Sequence, residues 1–327
     1  MSSGVNVRYL VGFESSNAAL LIEPDRLRLF SDFRYAEAGR AVEGVEFTET
    51  KRSLFADLAE RLSGRIGFEA DDVTYSGYAT LAAGGLELVP RYGIVEALRL
   101  VKDEREQEAI RQAAAVTTEG FERLVGERLV GRTERDLAWR VDELLHELGG
   151  EPAFPTIVGA GPNGARPHAR PGESVIEPGQ TVVIDAAAKL DGYCSDCTRT
   201  FATGPLPERL EQAYAVCLEA QLAGVEAVRA GVTAVEADAA ARARVEAAGL
   251  GRSFGHGLGH GVGLDVHEAP RLSRESGDTL AAGNVVTIEP GIYLEGVGGI
   301  RIEDLAIVRD AAAEVLTGFT KELVTVD

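Results

Sequence analysis

The stretch GVTAVEADAAARARVEAAG, residues 231–249, opens on a glycine, places Thr233 and Glu236 at a helix start, and stops on a second glycine. A threonine and a glutamate three residues apart form a capping box, in which each side chain satisfies a backbone N–H that the helix leaves free. A glycine just past the last turn is the usual helix stop. One hundred residues earlier, GRTERDLAWRVDELLHELG (131–149) repeats the arrangement with Thr133 and Asp136. A long helical stretch precedes each copy, 103–129 starting from Asp103 and 206–230 starting near Pro207. Each copy is followed by a phenylalanine (Phe154, Phe254), a glycine-rich passage and an apolar run, TVVID (181–185) or NVVTIE (284–289). The offset is 100 through the helices and widens to 104 at these runs. Two helix–helix–hairpin units in tandem predict a pseudo-two-fold domain, and a site at its internal interface takes corresponding residues from each half.

Ahead of this repeat the pattern changes. VRYLVGF (7–13), AALLI (18–22), RLRLF (26–30) and RIGFEA (65–70) read as strands between turn residues, while YAEAGRAV (35–42) and SLFADLAERL (53–62) carry helical spacing. That alternation predicts a smaller α/β domain. The Gly- and Pro-punctuated passage from Ala82 to Val101 divides the chain into 1–98 and 99–327, and 327 residues suit two domains.

Composition narrows the function. With 33 Lys and Arg against 52 Asp and Glu, the net charge is −19. Such a chain repels polyanions, which excludes nucleic acid and anionic membrane surfaces as expected partners. Divalent cations and substrates with a free amine are favoured instead. No uncharged apolar stretch reaches the length of a membrane span, and Arg8 and Glu14 interrupt any signal-like start. Three cysteines make no disulfide framework, so a cytoplasmic location is expected.

The chemistry lies in the two hairpins. Asp185 and Asp196 flank a turn at Leu190-Asp191-Gly192, and Glu289 and Glu303 are centred on Gly296. Each pair is expected to lie opposite across an antiparallel ladder, with side chains about 5 Å apart. A single acidic residue in a hairpin is ordinarily solvated. Here VVID and VVTIE are near-continuous apolar runs ending in the acid, the pattern of a buried strand end. Paired buried carboxylates repel or must hold a proton. Four of them at one interface are tolerable around two divalent cations, which sit about 3.5–4 Å apart in dinuclear sites.

Of five histidines, three fall in GHGLGHGVGLDVH (255–267). Glycines at 255, 257, 259, 261 and 263 occupy alternate positions, which predicts an extended strand pressed against another backbone. His256 and His260 are then about 13 Å apart along the strand. They cannot share one ion, so one is expected to be a ligand and the other to face substrate. His146, in the helical ELLHEL, is read as structural. Two other motifs are set aside. GAGPNG (159–164) has the spacing of a dinucleotide loop, but the prolines of ARPHARPG forbid the helix such a site needs. Cys194-Ser-Asp-Cys197 has no second cysteine pair to complete a zinc site.

These residues together resemble the pita-bread metallopeptidases. The carriers are Asp185 followed by DGYCSDCTRT (191–200), HGLGHGVGLDVHE (256–268), TIEPGIY (287–293) and RIED (301–304). FPTIVGAGPNGARPHARP (154–171) is similar to the Xaa-Pro branch, aminopeptidase P and prolidase. NVRYLVGFESSNAALLI and SDFRY are more loosely similar to the creatinase-type N-terminal domain. The resemblance implies a catalytic pita-bread domain over 99–327 and a creatinase-like domain over 1–98. That domain usually opens with a strand and helix before the segment resembling NVRYL. Here the segment begins at Asn6, which implies a start one element short.

The resemblance further implies roles. Asp185 would chelate one metal alone, His260 and Glu289 would hold the other, and Asp196 and Glu303 would bridge. His168 and His267 match positions that steady the substrate carbonyl and the tetrahedral intermediate. His256 and Arg301 match positions lining the pocket beyond the scissile bond. Oxygen ligands plus one imidazole favour Mn²⁺, with Co²⁺ or Zn²⁺ as alternatives. The expected nucleophile is a water activated between the two cations, with Glu289 as proton acceptor and His267 as oxyanion donor. The expected activity is a metal-dependent, proline-specific exopeptidase cutting the Xaa-Pro bond at the N-termini of short peptides with proline at the second position, and a homodimer is the expected assembly. A short N-terminal domain without long insertions favours an aminopeptidase over the Xaa-Pro dipeptidase. A methionine aminopeptidase and a non-catalytic scaffold are the remaining alternatives.

Overall fold

The computed structural model describes all 327 residues, Met1–Asp327. It divides into two compact units, Met1–Arg99 and Leu100–Asp327.

In the first unit, helix α1 (Gly4–Val11) precedes strands β1 (Ala18–Ile22) and β2 (Leu27–Asp32), short helix α2 (Ala36–Ala41) and strand β3 (Glu46–Thr50). Helix α3 (Leu54–Arg61), β4 (Arg65–Glu69), α4 (Tyr75–Ala83), β5 (Glu87–Arg91) and α5 (Ile94–Arg99) complete it. Strand β2 pairs antiparallel with β1 and parallel with β3, and β4 pairs parallel with β5. Ala19 and Phe30 pack with Leu54, Leu58 and Leu81 of α3 and α4. Leu20 and Leu29 pack with Val7 and Phe13 in a separate cluster. The α/β expectation holds, with one correction. VRYLVGF is not a strand: its first five residues finish α1. Asn6 and Val7 are buried on one side of that helix, and Gly12 at φ +67° ends it by returning its N–H to the Arg8 carbonyl. The β-branched valines suggested a strand, whereas the buried face and the glycine stop decide for a helix. Asn6 anchors it, donating to Glu69 and Glu96 at 2.6 Å each and accepting from Arg99 at 2.8 Å.

The second unit is the predicted repeat. Helices α6 (Glu104–Leu124) and α7 (Glu134–Glu147) are followed by β6 (Glu151–Pro152), β7 (Ile157–Ala160), β8 (Thr181–Ala186), β9 (Ala188–Leu190), β10 (Tyr193–Cys194) and β11 (Cys197–Ala202). Helices α8 (Glu208–Ala227) and α9 (Ala234–Ala247) are followed by β12 (Gly259–Gly261), β13 (Glu268–Leu272), β14 (Val285–Ile288), β15 (Gly291–Leu294), β16 (Gly298–Arg301), β17 (Asp304–Ile307) and β18 (Glu314–Val315). Both capping boxes form, at Thr133 with Asp136 and at Thr233 with Glu236. Left-handed glycines recur in pairs at 131 and 231, 149 and 249, 179 and 283, and 192 and 296. The same widening from 100 to 104 read in the sequence is thus written in the backbone.

Each half packs helix residues against its own strands, and Ile110 and Ala114 of α6 also pack on Val262, Val285, Leu305 and Ile307 of the second half. Val182, Ile184 and Ala186 of β8 pack on Phe121, Leu137, Val141 and Leu144. Val286 and Ile288 of β14 pack on Ala213, Cys217, Ala237 and Ala241. The sheets, ordered β11-β8-β7 and β13-β12-β14-β17-β18, meet along 198–200 and 301–303. There Glu303 N–H donates to the Thr198 carbonyl at 3.1 Å, and Thr200 Oγ1 donates to the Arg301 carbonyl at 2.9 Å.

Candidate metal centre

The two hairpins deliver their acids differently. In the second, Ile288 pairs with Asp304 and Gly291 with Arg301, so Glu289 and Glu303 are register partners as expected. The ladder opens at that point. Glu289 N–H turns to the Leu258 carbonyl at 2.8 Å, and Glu303 N–H crosses to Thr198 in the other half. In the first hairpin the expectation is corrected. Asp191 at φ +45° and Gly192 at φ +80° make a two-residue turn, and Leu190 pairs with Tyr193. This is the primed geometry that a tight Asp-Gly hairpin prefers, and it moves the centre one residue toward the C-terminus. Asp185 therefore faces Thr198, and Asp196 lies two residues along on the same strand side. The two aspartates are diagonal neighbours, not opposite partners.

The glycine-rich stretch is also only partly a strand, three residues long. Its glycines do allow close backbone approach. A Cβ on Gly259 would lie 2.0 Å from the Thr287 carbonyl oxygen, and one on Gly261 would lie 2.1 Å from that of Ala269. This places His260 against β14, where its N–H donates to Thr287 Oγ1 at 3.0 Å. Thr287 in turn donates to Glu289 Oε1 at 3.1 Å.

The four predicted acids and the one imidazole converge. Ligand atoms of Asp196, His260 and Glu303 lie within 4.8 Å of one another. His260 Nε2 is 3.3 Å from Glu289 Oε1 and 3.7 Å from Asp196 Oδ2. His260 Nδ1 is 3.1 Å from its neighbour's carbonyl at Gly261, and the tautomer that donates there leaves the Nε2 lone pair facing the acids. Asp185 Oδ2 accepts from Arg301 Nη2 at 2.6 Å, and Thr198 Oγ1 donates to Glu303 Oε2 at 2.7 Å. Asp185 Oδ1 and Asp196 Oδ1 are buried without any hydrogen-bond partner. Buried carboxylate oxygens are ordinarily satisfied, so these two point to a cation. The donor set, carboxylates and one imidazole, fits hard-to-borderline divalent ions.

Without cations the charges are settled by protons. Burial pushes the Asp185, Asp196 and Glu303 carboxyls up; Arg301 opposes this at Asp185, while neighbouring acids add to it at the other two. At Glu289 burial is outweighed by the hydrogen bond and charge of His260, which hold it at about 2. His260 is raised in return, against its own burial. Three acids that prefer protons beside one imidazolium–carboxylate pair form a set in which divalent ions can take the place of protons.

The remaining predicted residues ring this cluster. His267 lies against His260 with centroids 4.3 Å apart and the rings tilted by 54°; burial and the charge of His260 lower it, and His168 adds to the effect from the loop after Pro167. His168 itself is exposed. His256 Nε2 is 3.0 Å from the Tyr293 hydroxyl, which also accepts from Arg301 Nη1 at 3.0 Å. His146 is exposed on α7, away from these contacts, and the three cysteines are buried and free. Sequence reading missed Tyr293, Thr198 and Thr287. Their signals were present. Each threonine stands two residues from an acid, hence on its side of the strand, and Gly291 opposite Arg301 leaves the space into which Tyr293 folds.

Comparison with known proteins adds the lineage. The profile of Metallopeptidase family M24 matches residues 108–310, and that of the Creatinase/Prolidase N-terminal domain matches residues 1–101. The chain belongs to metallopeptidase family M24. Among M24 relatives, an uncharacterized peptidase of Bacillus subtilis is 37% identical over 99% of this chain and 94% of its own length. The Xaa-Pro dipeptidase of Pyrococcus furiosus is 40% identical over 70% of this chain and 66% of its own. The structure of an Xaa-Pro dipeptidase from Bacillus anthracis superposes with a TM-score of 0.94 at 37% identity, covering 98% of this chain and 92% of that one. The pita-bread architecture with a creatinase-type N-terminal domain is thereby that of the family.

Proposed function

We propose that this chain is a divalent-metal-dependent, proline-specific exopeptidase that releases the first residue from Xaa-Pro peptides. The observation carrying the proposal is the convergence of Asp185, Asp196, His260, Glu289 and Glu303, with two carboxylate oxygens left without polypeptide partners. Asp185 would hold one ion, His260 and Glu289 the other, and Asp196 and Glu303 both, with Mn²⁺ the expected metal. When bound, the ions supply positive charge to the scissile carbonyl and acidify an attacking water. Glu289, beside that water, is the group placed to accept its proton and return it to the leaving proline nitrogen. His267 and His168 orient the substrate carbonyl and donate to its oxygen as charge develops. The leaving nitrogen of an Xaa-Pro bond carries no N–H, so recognition falls to pocket shape, with His256, Tyr293 and Arg301 forming one wall. The acidic cluster also suits the substrate's free α-amine, which makes the cut an N-terminal one.

A dipeptidase reading is supported by the names of the relatives above. Turnover of Ala-Pro against Ala-Pro-Ala with Mn²⁺ present separates the two. The aminopeptidase reading expects the tripeptide to be cut, and a chain that accepts only the dipeptide is a prolidase. Asp196→Ala or Glu303→Ala is expected to abolish hydrolysis and bound metal together, at least about a hundredfold in either readout, since even changes behind a ligand cost 10–100-fold. An interaction scaffold would bind no metal and lose nothing in either variant. We further propose a cytoplasmic homodimer, the location supported by three buried free thiols; light scattering on the eluted protein reads the mass.

A further inference from the structure

The backbone that carries His256 is gripped by a helix rather than by a strand. On the buried face of α9, Arg242 and Asp238 stand one turn apart, 6% and 0% exposed. Arg242 donates to Asp238 through Nε at 2.7 Å and Nη2 at 2.8 Å. The same guanidinium donates to the Phe254 carbonyl at 2.9 Å and to the His256 carbonyl at 2.7 Å. Asp238 Oδ1 accepts the N–H of Leu258 at 3.0 Å. Three alternate residues, 254, 256 and 258, are thus fixed by one ion pair. The guanidinium also lies 4.0 Å over the Phe254 ring, whose face or edge meets the His256 ring at 5.2 Å and 83°.

This fixation is needed because the segment has no ladder of its own before Gly259. Gly255 and Gly257 flank His256 and bring no Cβ to resist backbone rotation. Stability alone is a poor reason for the arrangement, since apolar pairs of similar volume commonly replace buried ion pairs at no cost. The other half of the repeat makes the contrast. One hundred residues earlier, Asp142 takes a single hydrogen bond at 2.6 Å from Thr156, and Ala138 stands where Asp238 does. The half that presents a histidine at this point has the two-residue clamp; the half that presents a threonine has one bond.

We propose that Asp238 and Arg242 are positioning residues for His256, holding its imidazole at the Tyr293 hydroxyl and so setting how tightly the pocket binds peptide. This rests on the reading of His256 as a pocket residue. The test uses the full chain loaded with Mn²⁺ and Ala-Pro-Ala as substrate, in a double-mutant cycle. Asp238→Asn with Arg242→Met removes both charges together, so neither is left buried alone. That pair is expected to raise KM on the order of tenfold with kcat within about twofold, because a group displaced by a fraction of an ångström loses its contact. In a His256→Ala background the same pair is expected to leave KM unchanged. An equal rise of KM in both backgrounds, or none in either, overturns the proposal and leaves the clamp merely structural. Should His256→Ala itself leave KM unchanged, the pocket reading falls and the clamp proposal with it. A normal His256→Ala effect beside a silent clamp removes the clamp alone. If the double variant does not fold, Arg242→Lys carries the same cycle, since it keeps the charge and loses the fork. A readout independent of turnover is the ring ¹⁵N shift of His256, expected to move in Arg242→Lys while exposed His146 stays in place; an unmoved His256 signal overturns the proposal.

Discussion

At the scale of single residues, the centre depends on side chains that aim the acids as much as on the acids. Thr198 is buried, faces Asp185 across the ladder and donates to Glu303. Thr198→Val keeps the shape and removes the donor. Mn²⁺ affinity measured by titration calorimetry is expected to fall about tenfold, in line with other groups that orient metal ligands, while Thr198→Ser stays close to the parent. Equal affinities in all three would show that Glu303 needs no orienting. The acids and histidines were legible because each ends an apolar run or interrupts glycines, patterns that are costly without a purpose. Thr198, Thr287 and Tyr293 left only faint signals, because a hydroxyl on a strand is common and only its partner gives it meaning.

At the scale of elements, close approach and capping make separable contributions to stability. A Cβ at Gly259 meets a backbone carbonyl that cannot step aside, whereas one at Gly255 meets nothing within 4 Å. Gly259→Ala is expected to cost at least about 1–3 kcal/mol in urea unfolding, the range of overpacked cores, and Gly255→Ala close to nothing. Thr233→Ala removes one side of a formed capping box and is expected to cost about 1 kcal/mol. Equal costs at the two glycines would refute the packing argument. Element prediction failed at α1, where β-branched residues outvoted a buried face, and at the first hairpin, where one residue of turn placement changed which side chains oppose each other.

At the scale of the whole molecule, stability and metal binding are linked through the buried acids. Asp185, Asp196 and Glu303 have raised affinities for protons when folded and free of metal. A raised carboxyl contributes its stability fully below the unfolded value of about 4, and loses it as pH rises through the folded value. Asp304 works the other way: Arg199 and Lys321 outweigh its burial and lower it, so its contribution is present at neutral pH and lost in acid. Metal ions held by the first three would displace their protons and bind more tightly as pH rises. The gap in Tm between Mn²⁺-loaded and chelator-stripped protein is therefore expected to widen from about pH 5 to about pH 8. A gap that stays constant would mean that these acids are not the ligands.

The chain by itself determined that there are two halves repeated in register, which residues cap and end their helices, and which acids and histidines are candidates for the site. Those features are local or periodic, and spacing along the chain records them. Only the tertiary structure decided which oxygens lack partners, that Glu303 and Thr198 join the halves, and that Asp238 and Arg242 reach three residues of the His256 segment. Such contacts depend on sub-ångström register between segments up to about a hundred residues apart, and no pattern in one segment encodes where the other will stop.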